Sequence, residues 1–448
     1  MAAMPSKDLS QALARVAASA RRLRPPRGSG ILRAVTAAHA LLLENIHPTA
    51  HEEFARHGVV VHTAPGSLGE AALIEALRGL PGAGPLMLGI RSKTRVSGRV
   101  LAAVPRLDAI GAFCIGTDQI ELSAARDAGV AVFNAPFSNT RSVAELVLGE
   151  VIMLARQTFA RSMGCHRGQW NKTADGCHEV RGKTLGIVGY GHIGSQLSVI
   201  AEALGMKVRY YDILPKLPLG NAAPAGSLIE LLRDSDFVSL HVPDTDMTRG
   251  MLGAAEIAAM RRGAALINAS RGLVVDIEAL QAALVAGHLS GAAIDVFPSE
   301  PAKVGDSFES PLRGLDNVIL TPHIGGSTEE AQASIGREVA TTLSRFLDTG
   351  ATTGGVTLPT LEVGPVRSGS RIVNLHRNVP GVLSAINRVL GDSQVNITGQ
   401  SLATVETIGL LLVDVPLRVG DPKLAELVHA IAGLPTSLRT RIARQAAT

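Results

Sequence analysis

The stretch "KTLGIVGYGHIGSQLSVIAEALGMKVRYYD" spans residues 183–212 and joins two apolar runs through a glycine-rich turn and an amphipathic segment. Gly189, Gly191 and Gly194 form the G-x-G-x-x-G pattern of turns that bring the backbone close to a pyrophosphate. Asp212 lies 18 residues beyond Gly194, near the spacing of an acid that binds adenosine ribose hydroxyls. The stretch therefore predicts a βαβ unit that binds a dinucleotide.

The dinucleotide is predicted to be NAD. His192 and Ile193 complete the turn, where free N–H groups at the start of the following helix favour a phosphate group. The Asp212 carboxylate would repel the 2′-phosphate of NADP, although Arg209 nearby favours the opposite choice. The pattern also fits an ordinary βαβ unit with a tight turn. The strand and helix patterns on either side make the dinucleotide site the favoured interpretation.

Short apolar runs alternate with helical stretches on both sides of this unit, which predicts an α/β protein with doubly wound parallel sheets. A chain of 448 residues is long enough for two or three domains. Residues 348–370 are rich in Gly, Thr and Pro and are typical of a linker. Residues 370–448 predict a ferredoxin-like βαββαβ domain, with Pro380 at the first position of its first helix.

Composition indicates a soluble globular protein, with 46% hydrophobic and 18% charged residues. No uncharged apolar run reaches the roughly 18 residues of a membrane-spanning helix, so we expect no transmembrane segment and no membrane partner. The three cysteines, Cys114, Cys165 and Cys177, are widely spaced and fit neither a disulfide framework nor a zinc site. They favour a cytoplasmic protein that binds no metal.

Residues 1–30 hold six basic side chains and a single aspartate, and this surplus exceeds the net charge of +4 of the whole chain. We expect this segment to be a flexible extension. Its amphipathic, arginine-rich pattern leaves an organelle-targeting segment as an alternative, and the pattern does not decide whether it is cleaved. The basic residues have no aromatic partners, so we expect no nucleic-acid binding.

Three residues suited to acid, base or anion chemistry follow predicted strands. Arg271 comes after "ALINAS", Glu300 after "AAIDVFPS" and His323 after "NVILTP". Because ligands of open parallel sheets lie at the carboxyl ends of strands, we expect these side chains to meet there. A histidine can take a hydroxyl proton, a carboxylate can orient its ring, and an arginine can bind a substrate carboxylate. Taken singly, each residue also fits a surface or turn position.

Eight motifs together identify a resemblance to the D-isomer-specific 2-hydroxyacid dehydrogenases. It extends from about residue 40 to the end of the chain. The motifs are "GYGHIG", "INASRG", "AAIDVFPSEP", "TPHIGGST", "RSKT", "CIGTDQI", "FNAPFSNTRSVAEL" and "HRGQWNK".

The resemblance implies NAD-dependent oxidation of D-3-phosphoglycerate to 3-phosphohydroxypyruvate, the first step of serine biosynthesis. It makes His323 the acid/base, Glu300 its partner and Arg271 the ligand of the substrate's carboxylate and carbonyl end. Two alternatives remain open. One is a related dehydrogenase that acts on 2-oxoglutarate, hydroxypyruvate or glyoxylate. The other is a non-enzymatic regulatory protein that senses NAD(H).

The resemblance also implies further binding residues. Asp295 would hold the carboxamide side of the nicotinamide. The other cofactor-binding positions are His241, Val242, Pro243, Thr248 and Ala269, with His323 beside the nicotinamide. The substrate-binding positions are Arg91, Ser92, Asn139 and Arg141, with Arg271. A lysine that the most similar family members carry after the strand matching "GVVVHT" is missing here, so either phosphate binding is weaker or Lys93 or an arginine substitutes for it.

The implied architecture has a flavodoxin-like substrate-binding domain, residues 31–138 and 326–368, into which a Rossmann-type NAD-binding domain, residues 139–325, is inserted. Residues 369–448 would form an ACT domain, a small amino-acid-sensing module. The resemblance further implies a homotetramer.

Serine inhibition is the implied regulation. His376, Asn378 and Asn396 match the positions that bind serine in feedback-inhibited family members, although asparagine also suits turns without a ligand. Two departures affect this expectation. Arg377 replaces a usual glutamate, and Ser368-Gly369 replaces a usual Gly-Gly hinge.

Overall fold

The computed structural model describes residues 37–301 and 305–444. Contacts divide the chain into two compact units, Met1–Pro136 with Gln332–Thr448, and Phe137–Ala331. The predicted amino-terminal extension, residues 1–30, lies outside the described residues. Among the helices of the described chain, none is long and apolar enough to cross a membrane.

The first unit contains a parallel sheet with the strand order β2-β1-β3-β4-β5. The strands other than β2 are buried on both faces, because the odd and even residues of each apolar run face different helix layers, whereas the edge strand β2 is partly exposed. The strands are β1 (Ala38–Leu42), β2 (Val59–Thr63), β3 (Leu86–Ile90), β4 (Leu107–Ala112) and β5 (Ala131–Asn134). The helices are α1 (Thr49–Arg56), α2 (Glu70–Arg78), α3 (Gly98–Ala103) and α4 (Leu122–Asp127).

The second unit contains a parallel sheet with the strand order β12-β11-β10-β9-β6-β7-β8. The order changes direction between β6 and β9, where open α/β sheets bind their ligands. The strands are β6 (Thr184–Val188), β7 (Lys207–Tyr211), β8 (Ala223–Pro224), β9 (Phe237–Leu240), β10 (Ala265–Asn268), β11 (Gly291–Ile294) and β12 (Val318–Leu320). The helices are α5 (Thr140–Ala155), α6 (Thr158–His166), α7 (His192–Ala203), α8 (Leu228–Asp234), α9 (Ala254–Ala259) and α10 (Ile277–Val285).

The long helix α11 (Glu329–Thr349) leads to an antiparallel sheet with the order β14-β15-β13-β16. Its strands are β13 (Ser370–Arg377), β14 (Gly399–Val405), β15 (Ile408–Val415) and β16 (Ser437–Ile442), with helices α12 (Val382–Asp392) and α13 (Pro422–Ala432). The predicted α/β class and βαββαβ order are confirmed. The prediction for Pro380 was wrong: α12 begins at Val382, because the left-handed Gly381 (φ 89°) turns the chain into the helix after the proline.

The segment between α11 and β13 has no helix or strand, as predicted, but hydrogen bonds fix it. The Thr352 N–H donates to Leu361 O at 2.9 Å. The Thr357 hydroxyl donates to Val130 O and accepts the Val132 N–H, both at 3.0 Å. These bonds attach the segment to β5 of the first unit.

The C-terminal domain shares a hydrophobic core with the rest of the first unit. Val373, Leu375 and Leu410 belong to the same buried cluster as Phe346 and Leu347 of α11. One face of the antiparallel sheet is therefore covered by its own helices and the other by α11.

Candidate active site

The carboxyl ends of three neighbouring strands carry the predicted triad and Asp295. Strands β10, β11 and β12 pair in parallel, in that order. Arg271 follows β10, Asp295 follows β11 and His323 follows β12. The sheet topology therefore brings together residues that lie up to 52 positions apart in the sequence.

His323 and Glu300 form a hydrogen-bonded ion pair. Nδ1 of His323 lies 2.9 and 3.1 Å from the two Glu300 carboxylate oxygens. The hydrogen bond that the Glu300 carboxylate accepts from His323 raises the pKa of His323, while partial burial and the charge of Arg271 oppose this rise. Burial works against ionisation of Glu300, but the bonds from His323 and the Phe297 N–H hold its pKa below the ordinary value. Because Nδ1 faces Glu300, Nε2 is the ring nitrogen left for a substrate proton.

Asp295 fixes the loop that carries His323. Its carboxylate accepts the Thr321 hydroxyl at 2.6 Å and the N–H groups of Ile324 and Gly325, both at 2.8 Å. The His323 N–H donates to Asp295 O at 2.8 Å, and His323 has a left-handed φ of 55°. Such a conformation in a non-glycine residue persists only when its surroundings hold it. Asp295, 1% exposed, is therefore a positioning residue for this loop, and its contact with a nicotinamide stays a prediction.

Arg271 is placed by a polar turn after β10. The Asn268 side chain accepts the N–H and hydroxyl of Ser270 and donates to Arg271 O at 3.0 Å. Nη1 of Arg271 donates to Ser270 O at 2.7 Å. A Cβ at Gly272 would lie 2.0 Å from the Phe297 carbonyl carbon, so only glycine allows this close approach. Ala269 packs against the core beneath the turn.

The glycine-rich turn has the geometry of a pyrophosphate cradle. Gly189 is left-handed, with a φ of 91°, and a Cβ at Gly194 would lie 2.3 Å from Gly189 O. Helix α7 begins at His192 after an extended Gly191, and its first N–H groups point toward the turn. Ile193 packs against the core behind it. A pyrophosphate would meet free N–H donors without any side chain in the way.

The acidic residue at the end of β7 is held in place by two backbone bonds. The Asp212 carboxylate accepts the Tyr190 N–H at 2.8 Å and the Leu214 N–H at 2.9 Å. Arg209 is occupied by two acids: it pairs with Glu230 at 2.5 Å and with Asp234 at 3.0 Å. The structure thus leaves a carboxylate, and not a free guanidinium, for the adenosine ribose.

The predicted "HVP" positions follow β9, beside the glycine-rich turn. A Cβ at Gly189 would lie 2.5 Å from His241 O and 3.0 Å from Val242. Burial lowers the pKa of His241 to about 4, so the ring is neutral, and its Nε2 contacts the Ser239 hydroxyl at 2.9 Å. The Thr248 hydroxyl donates to Pro243 O at 2.6 Å and closes the loop.

The predicted substrate positions of the second unit lie at the start of α5. Asn139, 9% exposed, has a buried Oδ1 without a hydrogen-bond partner among the described residues. Arg141 pairs with Glu145 at 2.5 Å, and both side chains are exposed. Arg91 and Ser92 belong to the first unit, where they follow β3. The roles of these four residues in substrate binding stay predictions.

The predicted effector residues differ in exposure. His376 is 4% exposed, and its Nδ1 contacts Asn374 Oδ1 at 3.0 Å. Burial lowers its pKa, so the imidazole is neutral near pH 7. Asn378 is exposed and donates to Glu406 O at 3.1 Å, and Asn396 is also exposed. A neutral imidazole and two amides are compatible with a zwitterionic ligand.

One charged residue of the second unit was missed at the sequence level. Glu150 of α5 is 2% exposed, and neither carboxylate oxygen has a hydrogen-bond partner among the described residues. Burial, with a smaller contribution from Asp295, raises its pKa to about 8. The sequence signal was a single carboxylate on the apolar side of an otherwise hydrophobic helix.

Comparisons with known proteins identify relatives of the dinucleotide-binding unit and of the C-terminal domain. Residues 148–325 match the D-isomer specific 2-hydroxyacid dehydrogenase NAD binding domain, and residues 372–439 match the AHAS small subunit-like ACT domain. D-3-phosphoglycerate dehydrogenase of Dictyostelium discoideum is 48% identical over 90% of this chain and 96% of its own. The same-named protein of Escherichia coli K12 has the same identity and coverage.

Solved structures have a similar fold. The TT0316 protein from Thermus thermophilus has a TM-score of 0.59 and 32% identity, covering 68% of this chain and 95% of its own. D-Lactate dehydrogenase from Aquifex aeolicus, complexed with NAD and lactic acid, has a TM-score of 0.61 and 26% identity, covering 72% of this chain and 100% of its own.

Proposed function

The chain belongs to the D-isomer-specific 2-hydroxyacid dehydrogenase family, and from this premise we propose that it oxidises D-3-phosphoglycerate to 3-phosphohydroxypyruvate with NAD. The Glu300–His323 pair beside Arg271, at the strand ends of a dinucleotide-binding sheet, is the observation that carries the proposal. The names of the 48% identical relatives support the choice of substrate.

The residues of the second unit fit NAD. Gly189 and Gly194 leave room for a pyrophosphate, and Asp212 provides acceptors for ribose hydroxyls. His241, Val242, Pro243 and Thr248 would line the adenosine side. When bound, NAD supplies the hydride acceptor.

The protein's own groups then provide the acid/base chemistry. Nε2 of neutral His323 takes the proton of the substrate hydroxyl. The Glu300 carboxylate stabilises the resulting imidazolium through Nδ1. Arg271 offers a planar fork of donors to the substrate carboxylate and to the carbonyl oxygen that forms beside it. Asn139 and Arg141 are proposed to contact the substrate from the start of α5, and Arg91 and Ser92 to bind its phosphate.

The remaining assignments are part of the same proposal. Residues 139–325 bind NAD, and residues 31–138 with 326–368 bind substrate. Serine binds His376, Asn378 and Asn396 of the ACT domain and inhibits the enzyme. The protein works in the cytoplasm as a homotetramer; its three cysteines all lie within the described residues and form no disulfide there, which fits a reducing compartment.

A steady-state assay tests the function. NADH consumption is measured with 3-phosphohydroxypyruvate, 2-oxoglutarate, hydroxypyruvate and glyoxylate, each with and without serine. A kcat/KM for 3-phosphohydroxypyruvate at least tenfold above the others supports the proposal, and a preference for another oxoacid assigns the related activity instead. No turnover with any oxoacid, together with tight NADH binding, identifies a sensor. Turnover that serine does not change removes only the regulatory part.

A further inference from the structure

We propose that Glu44 acts as an internal anion that fixes the turn formed by residues 91–94 and thereby positions Arg91 and Ser92 for the substrate. This inference rests on the proposed function, because it takes those two side chains as substrate ligands. Glu44 is assigned a positioning role and no contact with the substrate.

Glu44 ties together the carboxyl ends of two neighbouring strands. It follows β1, and the turn follows β3, its parallel neighbour. The Glu44 carboxylate accepts the Lys93 N–H at 3.0 Å with one oxygen and the Thr94 N–H at 2.7 Å with the other. The residue is 8% exposed, so these charge-assisted bonds form away from bulk water and are strengthened.

The backbone at Glu44 is itself unusual. Glu44 and Asn45 are consecutive non-glycine residues in the left-handed region, with φ of 61° and 52°. Such strain is typically found where a fold must aim a side chain for function. Here the left-handed turn directs the Glu44 carboxylate to the turn after β3.

These contacts also limit how an anion can bind at the turn formed by residues 91–94. Successive backbone N–H groups in a turn are a common anion site, but the Glu44 carboxylate already occupies those of Lys93 and Thr94. Gln119 holds the other end of the turn by donating to Arg91 O at 2.6 Å. A substrate phosphate must therefore be bound by side chains of a pre-formed turn, which explains why Arg91 and Ser92, and not the backbone, carry the recognition.

The first test is the kinetics of Glu44→Ala in the full chain. We expect the KM for 3-phosphohydroxypyruvate to rise about tenfold while kcat stays within about twofold, because the turn loses its alignment and the triad does not. The NADH Kd should stay unchanged. Glu53→Ala is the matched control: Glu53 is also 8% exposed and in the same unit, but it pairs with the side chains of Arg56 and His57.

The second test is chemical rescue. Acetate at millimolar concentration can occupy the space left in Glu44→Ala and accept the two vacated N–H groups. We expect acetate to lower the raised KM of that variant part of the way back to the wild-type value and to have no such effect in wild type or Glu53→Ala. Glu44→Gln, which keeps one acceptor oxygen, should have an intermediate KM.

The experiments distinguish failure of the positioning role from failure of the proposed function. An unchanged KM in Glu44→Ala, or an increase in KM that acetate does not reverse, overturns the positioning role. If the wild-type protein does not turn over 3-phosphohydroxypyruvate, the proposed function fails, and thermal unfolding then tests Glu44 alone. Acetate should raise the Tm of Glu44→Ala and not that of Glu53→Ala. Equal Tm shifts would show that the turn has no vacated anion site.

Discussion

Replacement of Glu150 by glutamine should stabilise the protein, and more so at higher pH. Glu150 is 2% exposed without hydrogen-bond partners among the described residues, and its pKa is raised to about 8 by burial and by Asp295. A folded-state pKa above the ordinary 4.5 means that the folded state binds the proton more tightly. The contribution of protonated Glu150 to the free energy of unfolding is therefore fully present below pH 4.5 and is lost as the pH rises to about 8.

The magnitude follows from the size of the shift. Each pKa unit corresponds to about 1.4 kcal/mol, so the raised pKa of Glu150 lowers stability by about 3 kcal/mol at pH 7 and by about 5 kcal/mol well above pH 8. Glutamine resembles the neutral acid in shape and carries no charge at any pH. The advantage of Glu150→Gln over wild type should therefore grow by about 3 kcal/mol between pH 5.5 and 8.5.

Urea unfolding followed by circular dichroism at several pH values measures this difference. Glu278→Gln, an exposed carboxylate in the first turn of α10, is the control, and its free energy of unfolding should follow that of wild type within about 0.5 kcal/mol. If Glu150→Gln and wild type keep a constant difference from pH 5.5 to 8.5, Glu150 does not titrate in this range and the reasoning is refuted.

Three further predictions concern catalysis and cofactor choice. His323→Ala should lower kcat by about 10³-fold while the NADH Kd measured by fluorescence persists; retained turnover would remove His323 from the mechanism. Glu300→Gln removes the negative charge that strengthens the hydrogen bond to His323 and raises its pKa, so the limb of the oxidation pH profile that requires neutral histidine should move to lower pH; an unmoved limb contradicts the pairing. Asp212→Ser should raise kcat/KM for NADPH relative to NADH by about tenfold, and no change would mean that Asp212 does not set the preference.

Much of the dinucleotide unit and the order of the C-terminal domain could be predicted because they depend on local signals. Glycine is needed where two stretches of backbone lie too close together for a side chain, as at Gly194. The carboxyl ends of the strands in a parallel sheet lie at one edge, whatever the loops contain. Proximity of Glu300 and His323 therefore followed from their positions after β11 and β12.

Features that depend on tertiary surroundings could not be predicted. Helix α6 was not predicted, and none of its residues is buried. The burial of Glu150 is decided by the sheet beneath α5, and the loop-holding role of Asp295 depends on three partners that follow it by 26 to 30 residues. The neutral state of His241 likewise results from burial that no local pattern specifies.

The shared core around Phe346 and Leu347 bears on whether the C-terminal domain could be removed. A domain that is joined to a protein only by a flexible linker can be gained or lost without changing the packing of the rest of the chain. Here the sheet of the ACT domain completes the covering of α11, so deletion of residues 369–448 would expose the apolar side chains that Val373, Leu375 and Leu410 now cover. Helix α11 therefore depends on the C-terminal domain for its packing, and we would expect relatives that lack the domain to carry a more polar surface on the equivalent helix.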